Sequence, residues 1–297
     1  MPESASDALL GPAAAPAAPA SGDVSDAPPP ELQIQGAARA HRALLRIRDL
    51  HKSFGSLHVL RGIDLDIPRG KTTVVLGPSG CGKSVMLKLI NGLMHPDRGE
   101  IWFDNQRIDD LPERKLRDVR RRMGFLFQMG ALFDSMTIAE NIEFPLVEHT
   151  KLGKGERRQR VLDALDTVDL KGIAERLPSQ LSGGQRKRVA LARAIVLEPK
   201  LVLYDEPTTG LDPIRSDGID QLVNKLERQL GVTSVVVTHD LNSARKIAEQ
   251  VVLLLDGLIA AQGTFADLER STNPRVQQFI RGEYRRDDDA LPTPSVE

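Results

Sequence analysis

The chain has 297 residues, 40% of them hydrophobic, with 40 Lys and Arg against 41 Asp and Glu and a formal net charge of −1. That length and apolar content suit about two domains with a sizeable core, and the charge balance gives no pull toward nucleic acid or an anionic membrane surface. The single cysteine, Cys81, excludes an internal disulfide and favours the cytosol; no apolar stretch approaches the roughly 20 residues that span a bilayer, so any membrane role would run through partners.

In chain order, residues 1–42 are rich in Ala, Pro, Ser and Asp and poor in large apolar side chains. Such a segment buries too little surface to offset its ordering entropy and reads as a disordered tail. Its scattered acids speak against an organelle presequence, and no basic start precedes an apolar run as in a signal peptide. Residues 44–47 and 59–67 read as strands. Thr72–Leu76 is a short β-branched run ending at Gly77, the pattern of a buried parallel strand, and helical patterning follows from Lys83 to Leu93. Further buried strands are expected at 201–204, 234–238 and 251–255, separated by helical stretches. This alternation predicts an α/β domain over 43–282 with a mostly parallel sheet. Between about 131 and 185 the apolar residues fall at helical spacing, so a helical subdomain is expected there. Residues 283–297 are polar, include Asp287, Asp288 and Asp289, and read as a mobile end or a partner-docking tail.

Gly77, Pro78, Ser79, Gly80, Cys81, Gly82, Lys83 and Ser84 fit the G-x-x-x-x-G-K-[ST] phosphate loop without a mismatch, between an apolar strand and a helix. Glycines let the backbone curl so that successive N–H groups form an anion nest, and the helix adds its positive end. Lys83 is placed to reach the β- and γ-phosphates and Ser84 to bind Mg²⁺. The competing reading is a glycine-rich turn, which the Lys-Ser pair at the helix start disfavours. Cys81 is either a thiol activated by the helix terminus or a small space-filler, and the second reading is preferred.

The apolar run 201–204 ends in Asp205 and Glu206, and acids at the carboxyl end of a parallel strand face the ligand crevice. Alternation puts the two on opposite sides. Asp205 suits a second-shell or water-mediated Mg²⁺ partner, and Glu206 the general base for an attacking water. A helix N-cap is the alternative, since Pro207 and Thr208 follow. His239 ends another buried strand at the same edge, where it can hydrogen-bond the γ-phosphate and hold the water with Glu206; alone, it would read as a surface residue.

Leu181-Ser182-Gly183-Gly184-Gln185, followed by a helix expected over 186–197, resembles the signature of ABC ATPases. In the same order, Gln128 after a strand over 123–127 resembles the Q-loop glutamine, Thr209-Gly210-Leu211-Asp212 the D-loop, and Phe54 the aromatic that stacks on adenine. The resemblance spans about 44–263. It implies an α/β P-loop NTPase of RecA-like kind, with a mostly parallel sheet, an antiparallel β subdomain and a helical ABC subdomain. It implies ATP and Mg²⁺ as ligands, with Phe54 and residues 77–85, Val85 included, against the nucleotide. Gln128 joins Glu206 and His239 in catalysis, and joins Ser84 and Asp205 at the metal. Ser182, Gly183, Gly184 and Gln185 would act on ATP of a partner subunit, so a homodimer follows.

The absence of heptad arms and of a second nucleotide domain leaves a transporter subunit docked on an integral membrane permease, with no nucleic-acid partner. Val85 after the Lys-Ser pair, the run Phe127-Gln128-Met129-Gly130-Ala131-Leu132-Phe133-Asp134-Ser135-Met136-Thr137 continuing to Asn141 and Pro145, and the ending 273–279 are similar to Mce-associated, Mla-type lipid-transport ATPases. That resemblance implies a STAS-domain small subunit, Mce-domain lipid-binding proteins and phospholipid movement from a peripheral position at the cytoplasmic face of the inner membrane. A small-solute importer is the alternative. Residues 130–145 are apolar for a surface loop: Leu132, Phe133, Ile138 and Ile142 either pack the helical subdomain or line a groove for a permease helix.

Overall fold

The protein is described by a computed structural model over residues 43–283. The expectations for residues 1–42 and 284–297, the acidic run 287–289 among them, lie outside the described residues.

Two sheets organise the chain. Strands β1 (Ala43–Phe54) and β2 (Leu57–Pro68) form a long antiparallel hairpin, and β4 (Arg98–Phe103) and β5 (Gln106–Arg107) extend it in the order β2-β1-β4-β5. The second sheet contains β3 (Thr72–Leu76), β6 (Met123–Leu126), β7 (Leu201–Asp205), β8 (Thr233–Thr238), β9 (Gln250–Leu255) and β10 (Leu258–Gly263) in the order β10-β9-β3-β8-β7-β6. Its neighbours are parallel except the β9–β10 edge.

Every residue of β3, β7 and β8 is buried, as a parallel sheet covered on both faces requires. Alternation along the strands separates two cores. Val74, Leu76, Val202, Tyr204 and Val236 enter one, which is filled by α3 (Ile138–His149), α4 (Lys154–Thr167), α5 (Gly183–Ile195), α6 (Pro213–Leu230) and α7 (Leu241–Ile247). Val75, Leu201, Leu203, Val235 and Val237 enter the other, shared with α1 (Lys83–Ile90), α2 (Glu113–Arg120) and the antiparallel sheet. Only helices and one 3₁₀ turn lie between β6 and β7. The short helices α8 (Phe265–Glu269) and α9 (Pro274–Arg281) close the described chain. Among the described residues no helix is long and apolar enough to cross a membrane.

Several boundaries differ from expectation. Helix α1 stops at Ile90 rather than Leu93, because Gly92 at φ 66° takes a left-handed terminating turn. Helix α5 starts at Gly183 rather than Arg186, and the strand before Gln128 ends at Leu126. Strands β4, β5 and β10 carried weak signals: β10 has no fully buried residue, and β5 is two residues long.

Candidate functional site

Strand order brings the candidate residues together. The carboxyl ends of β3, β8, β7 and β6 are successive neighbours, with Leu76 beside Thr238, Val237 beside Asp205 and Tyr204 beside Leu126. The phosphate loop, His239, the acid pair and Gln128 therefore open on one edge in that order. Gly82 has φ 106°, and a Cβ there would meet Leu60 Cδ2 at 2.9 Å; only glycine fits beneath the hairpin. Lys83, the first residue of α1, is 5% exposed. Its Nζ donates to the carbonyls of Gly77 (2.8 Å) and Pro78 (2.9 Å) and lies 3.7 Å from Glu206 Oε1. Pro78, Ser79 and Gly80 are exposed, and with Cys81, Leu57 and His58 they line a cleft between the loop and the β1–β2 hairpin. Burial pushes the Cys81 thiol up, which favours the space-filling reading over an activated thiolate.

Ser84 Oγ donates to Asp205 Oδ1 at 2.7 Å. Glu206, in contrast, leaves β7 with φ 48°, a left-handed conformation that costs a bulky residue energy and persists where the surroundings impose it. Its N–H donates to Val237 O at 3.0 Å. Its carboxylate accepts from Thr209 Oγ1 at 3.2 Å and sits 2.9 Å from His239 Nδ1. A carboxylate only accepts, so Nδ1 of His239 carries the proton in this pair. The two acids thus face different partners, as strand alternation required, and the turned backbone of Glu206 adds what alternation alone did not contain.

Ser182 caps α5: its Oγ accepts from Gln185 N (3.3 Å), and Gln185 Oε1 accepts from Ser182 N (3.0 Å). Gly183 and Gly184 form the first turn of that helix, and its N–H groups make an anion-favouring end. Asp212 caps α6, accepting from Arg215 N at 3.0 Å. Phe54 is 45% exposed at the end of β1, with Lys52 Nζ 5.6 Å from its ring centroid. Gln128 is exposed in the turn after β6; among the described residues its side chain forms no hydrogen bond to Ser84, Asp205 or Glu206. Val85 is half-buried against the core beneath the hairpin, rather than in the loop cleft.

The ABC transporter family profile matches residues 60–209. The chain belongs to the ABC transporter family. This ABC ATPase is 44% identical over 240 residues to the "Intermembrane phospholipid transport system ATP-binding protein MlaF" of Haemophilus influenzae, covering 81% of this chain and 91% of that one. It is 42% identical over 238 residues to the "Probable ribonucleotide transport ATP-binding protein mkl" of Mycobacterium leprae, covering 80% of this chain and 69% of that one. Among solved structures, a dimeric post-hydrolysis state of an ATP-binding cassette bound to ADP and Pi superposes with a TM-score of 0.69 at 38% identity, covering 74% and 98% of the two chains. A cassette from Clostridium perfringens, part of the cbiONQ transporter complex, gives 0.72 at 31% identity, covering 81% and 96%.

The residues present in this ABC ATPase suit Mg²⁺. Ser84 Oγ and Asp205 Oδ1 are hard oxygen donors side by side, the type that Mg²⁺ takes together with water and phosphate.

Two residues of the ABC ATPase escaped the sequence reading. Lys187 of α5 is 8% exposed and donates to the carbonyls of Glu206 (3.2 Å) and Pro207 (2.7 Å); burial pushes its pKa down. Its position, one helical turn before Ala190 and Leu191 on the apolar stripe, was the available signal, because a cation on a buried face requires acceptors. Arg193 donates to the carbonyls of Gly130 (2.9 Å) and Ala131 (2.8 Å), fixing the segment after Gln128. That segment divides its apolar residues: Ile138 and Ile142 are fully buried, whereas Phe133 and Phe144 are 42% and 38% exposed and stack edgewise at 5.2 Å.

Proposed function

We propose that this ABC ATPase drives phospholipid transport between membranes, with Glu206 as general base of ATP hydrolysis. The observation that carries the catalytic part is Glu206 held between His239 Nδ1 (2.9 Å) and Lys83 Nζ (3.7 Å) at the mouth of the phosphate loop. In this reading the loop amides and Lys83 cradle the phosphates, and Phe54 stacks on the adenine. Mg²⁺, when bound, neutralises charge developing on the phosphate oxygens; Ser84, Asp205 and Gln128 would hold it. Glu206 orients a water and takes its proton, while His239 steadies Glu206 and the γ-phosphate.

The signature supports a homodimer. The Ser182 hydroxyl accepts from Gln185 N, which leaves its proton for an anion beyond the helix start. A γ-phosphate held on the partner subunit meets both that proton and the α5 terminus. ATP then favours the closed dimer through contacts that hydrolysis removes.

Phospholipid as the cargo rests on the MlaF-named relatives, which align over 91% of their length against 69% for the ribonucleotide-named one. An integral permease is the expected membrane partner, accompanied by a STAS-domain subunit and Mce-domain lipid-binding proteins, with the ATPase peripheral at the cytoplasmic face of the inner membrane. The exposed pair Phe133 and Phe144 is the surface offered to the permease. A mild-detergent pull-down of the tagged chain, with mass spectrometry of proteins and lipids, tests this. A permease with STAS and Mce partners and co-purifying phospholipid supports the reading. A permease with a solute-binding protein overturns the cargo and leaves the ATPase standing.

A further inference from the structure

One buried acid has no place in the chemistry above. Asp220 of α6 is 3% exposed and borders a cleft of about 890 Å³ that runs from the residues after Glu206 to α7. The Ser243 hydroxyl lies 3.0 Å from Asp220 Oδ2 and 3.1 Å from Asp240 Oδ2. A hydroxyl has one proton and can donate to only one of these oxygens. Asp240 Oδ1 also accepts the N–H groups of Asn242 (2.8 Å) and Ser243 (3.2 Å), so this side chain already serves as an acceptor. Asp220 Oδ1, by contrast, is buried without a hydrogen bond, a position that suits the carbonyl of a neutral acid better than a carboxylate oxygen. Both contacts to Ser243 are satisfied only when Asp220 is protonated and donates to Ser243 Oγ, which donates onward to Asp240.

We propose that Asp220 is a positioning residue with an exchangeable proton, and that Asp220, Ser243 and Asp240 form a proton-linked relay holding the segment that carries His239. The relay joins α6, which starts at the Asp212 cap, to the catalytic edge. The Asp240 N–H donates to Thr238 Oγ1 at 3.0 Å, Thr238 Oγ1 lies 3.4 Å from Glu206 Oε2, and His239 directly precedes Asp240. The ionisable groups lining the cleft beside Asp220 are Asp217 on its own helix, Lys246 and Arg245 on α7, and His239 and Asp240 before it. Lys246 is bonded to Asp217 at 2.6 Å and Arg245 to Glu269 at 2.7 Å. Burial outweighs Lys246 and pushes the Asp220 carboxyl up to about 6.

The sign follows. A folded-state proton bound above the acid's ordinary range stabilises the fold at low pH, and that stability is lost as pH rises toward about 6. Above that, two carboxylates compete for one hydroxyl proton and the relay slackens. Asp220→Asn keeps an N–H donor for Ser243 at every pH and removes the charge. The test compares the purified full-length wild type, Asp220→Asn, Ser243→Ala and the double variant in thermal unfolding and steady-state ATPase assays from about pH 5 to pH 8. The Tm of Asp220→Asn minus that of wild type is expected to rise with pH and level off above about 6. Over the same range the kcat ratio of Asp220→Asn to wild type is expected to rise at least about threefold with little change in KM for ATP, and to stay flat in the Ser243→Ala background. Dividing the two rates cancels any pH dependence that the two proteins share. A Tm difference independent of pH overturns the proton. A pH-dependent Tm difference with a flat kcat ratio overturns the link to His239. The link rests on the catalytic reading of His239, and a wild type without ATPase activity would sink that reading while the Tm series still decides the proton.

Discussion

Lys187 Nζ and the Pro207 carbonyl oxygen lie 2.7 Å apart, tying the helix capped by Ser182 to the backbone that carries Glu206. The signature of one subunit is thereby fastened to the residue proposed as that subunit's general base. Lys187→Met keeps the apolar stem and leaves two buried carbonyls without their donor. The expected loss is about 1–3 kcal/mol of stability and roughly tenfold in kcat, because Glu206 is less well positioned. Chemical denaturation and ATPase assays read both; unchanged kcat would separate the tie from catalysis.

Glu206→Gln preserves shape and removes the base. Its kcat is expected to fall by about 10²–10⁴-fold with nucleotide binding retained, and the variant should collect as an ATP-bound dimer on size-exclusion chromatography. Lys83→Ala, in contrast, should weaken nucleotide binding itself. Normal turnover in Glu206→Gln would remove it from the base role.

Asn141 is fully buried at the start of α3 and binds the backbone around it: Oδ1 accepts from Phe133 N at 2.8 Å, and Nδ2 lies within 3.2 Å of the carbonyls of Phe133, Met136 and Thr137. Asn141→Leu fills similar space and leaves the Phe133 N–H and the Met136 carbonyl without partners, while the Phe133 and Thr137 carbonyls keep only their backbone donors. A loss of about 3 kcal/mol is expected, seen as a Tm lower by roughly 5–10 °C.

Asp104, in the β4–β5 turn, is bonded to Lys200, Arg69 and Arg122, and Lys200 foremost, with Arg69, lowers its carboxyl to about 2. The stability it contributes is present above the ordinary carboxylate range and is lost as pH falls toward about 2. Asp104→Asn, which tolerates the left-handed turn (φ 51°), should lower stability by about 1 kcal/mol at neutral pH. The Tm gap to wild type should close on acidification; a gap that widens would contradict the assignment.

Cys81, although at a helix start, should be a slow nucleophile, since burial pushes its pKa up. Alkylation of the native chain at pH 8 is expected to run at least about tenfold slower than that of the unfolded chain.

Much of the sheet, and the gathering of the candidate residues on one of its edges, was legible in the sequence because both depend on short local patterns. β3, β7 and β8 are apolar runs that end in marked residues, and their order could be read without distances. What escaped depended on long-range contact. Lys187 and Arg193 look like ordinary helix cations until their acceptors, 19 or more residues away, are placed beside them. The left-handed turn at Glu206 is held by its N–H bond to β8, and Pro207 after it marks a break in the strand without giving its hand. β10 was missed because an edge strand of half-buried Ile and Ala with an exposed Gln carries little periodicity.

The Asn141 knot also bears on the kinetics of assembly. Phe133 and Phe144 project from a segment whose backbone is already fixed from both sides, by Asn141 and by Arg193. A membrane subunit seating there meets a preorganised surface and incurs little ordering entropy on arrival. Substitutions on that surface should therefore lengthen or shorten the lifetime of the complex while leaving its rate of formation nearly constant.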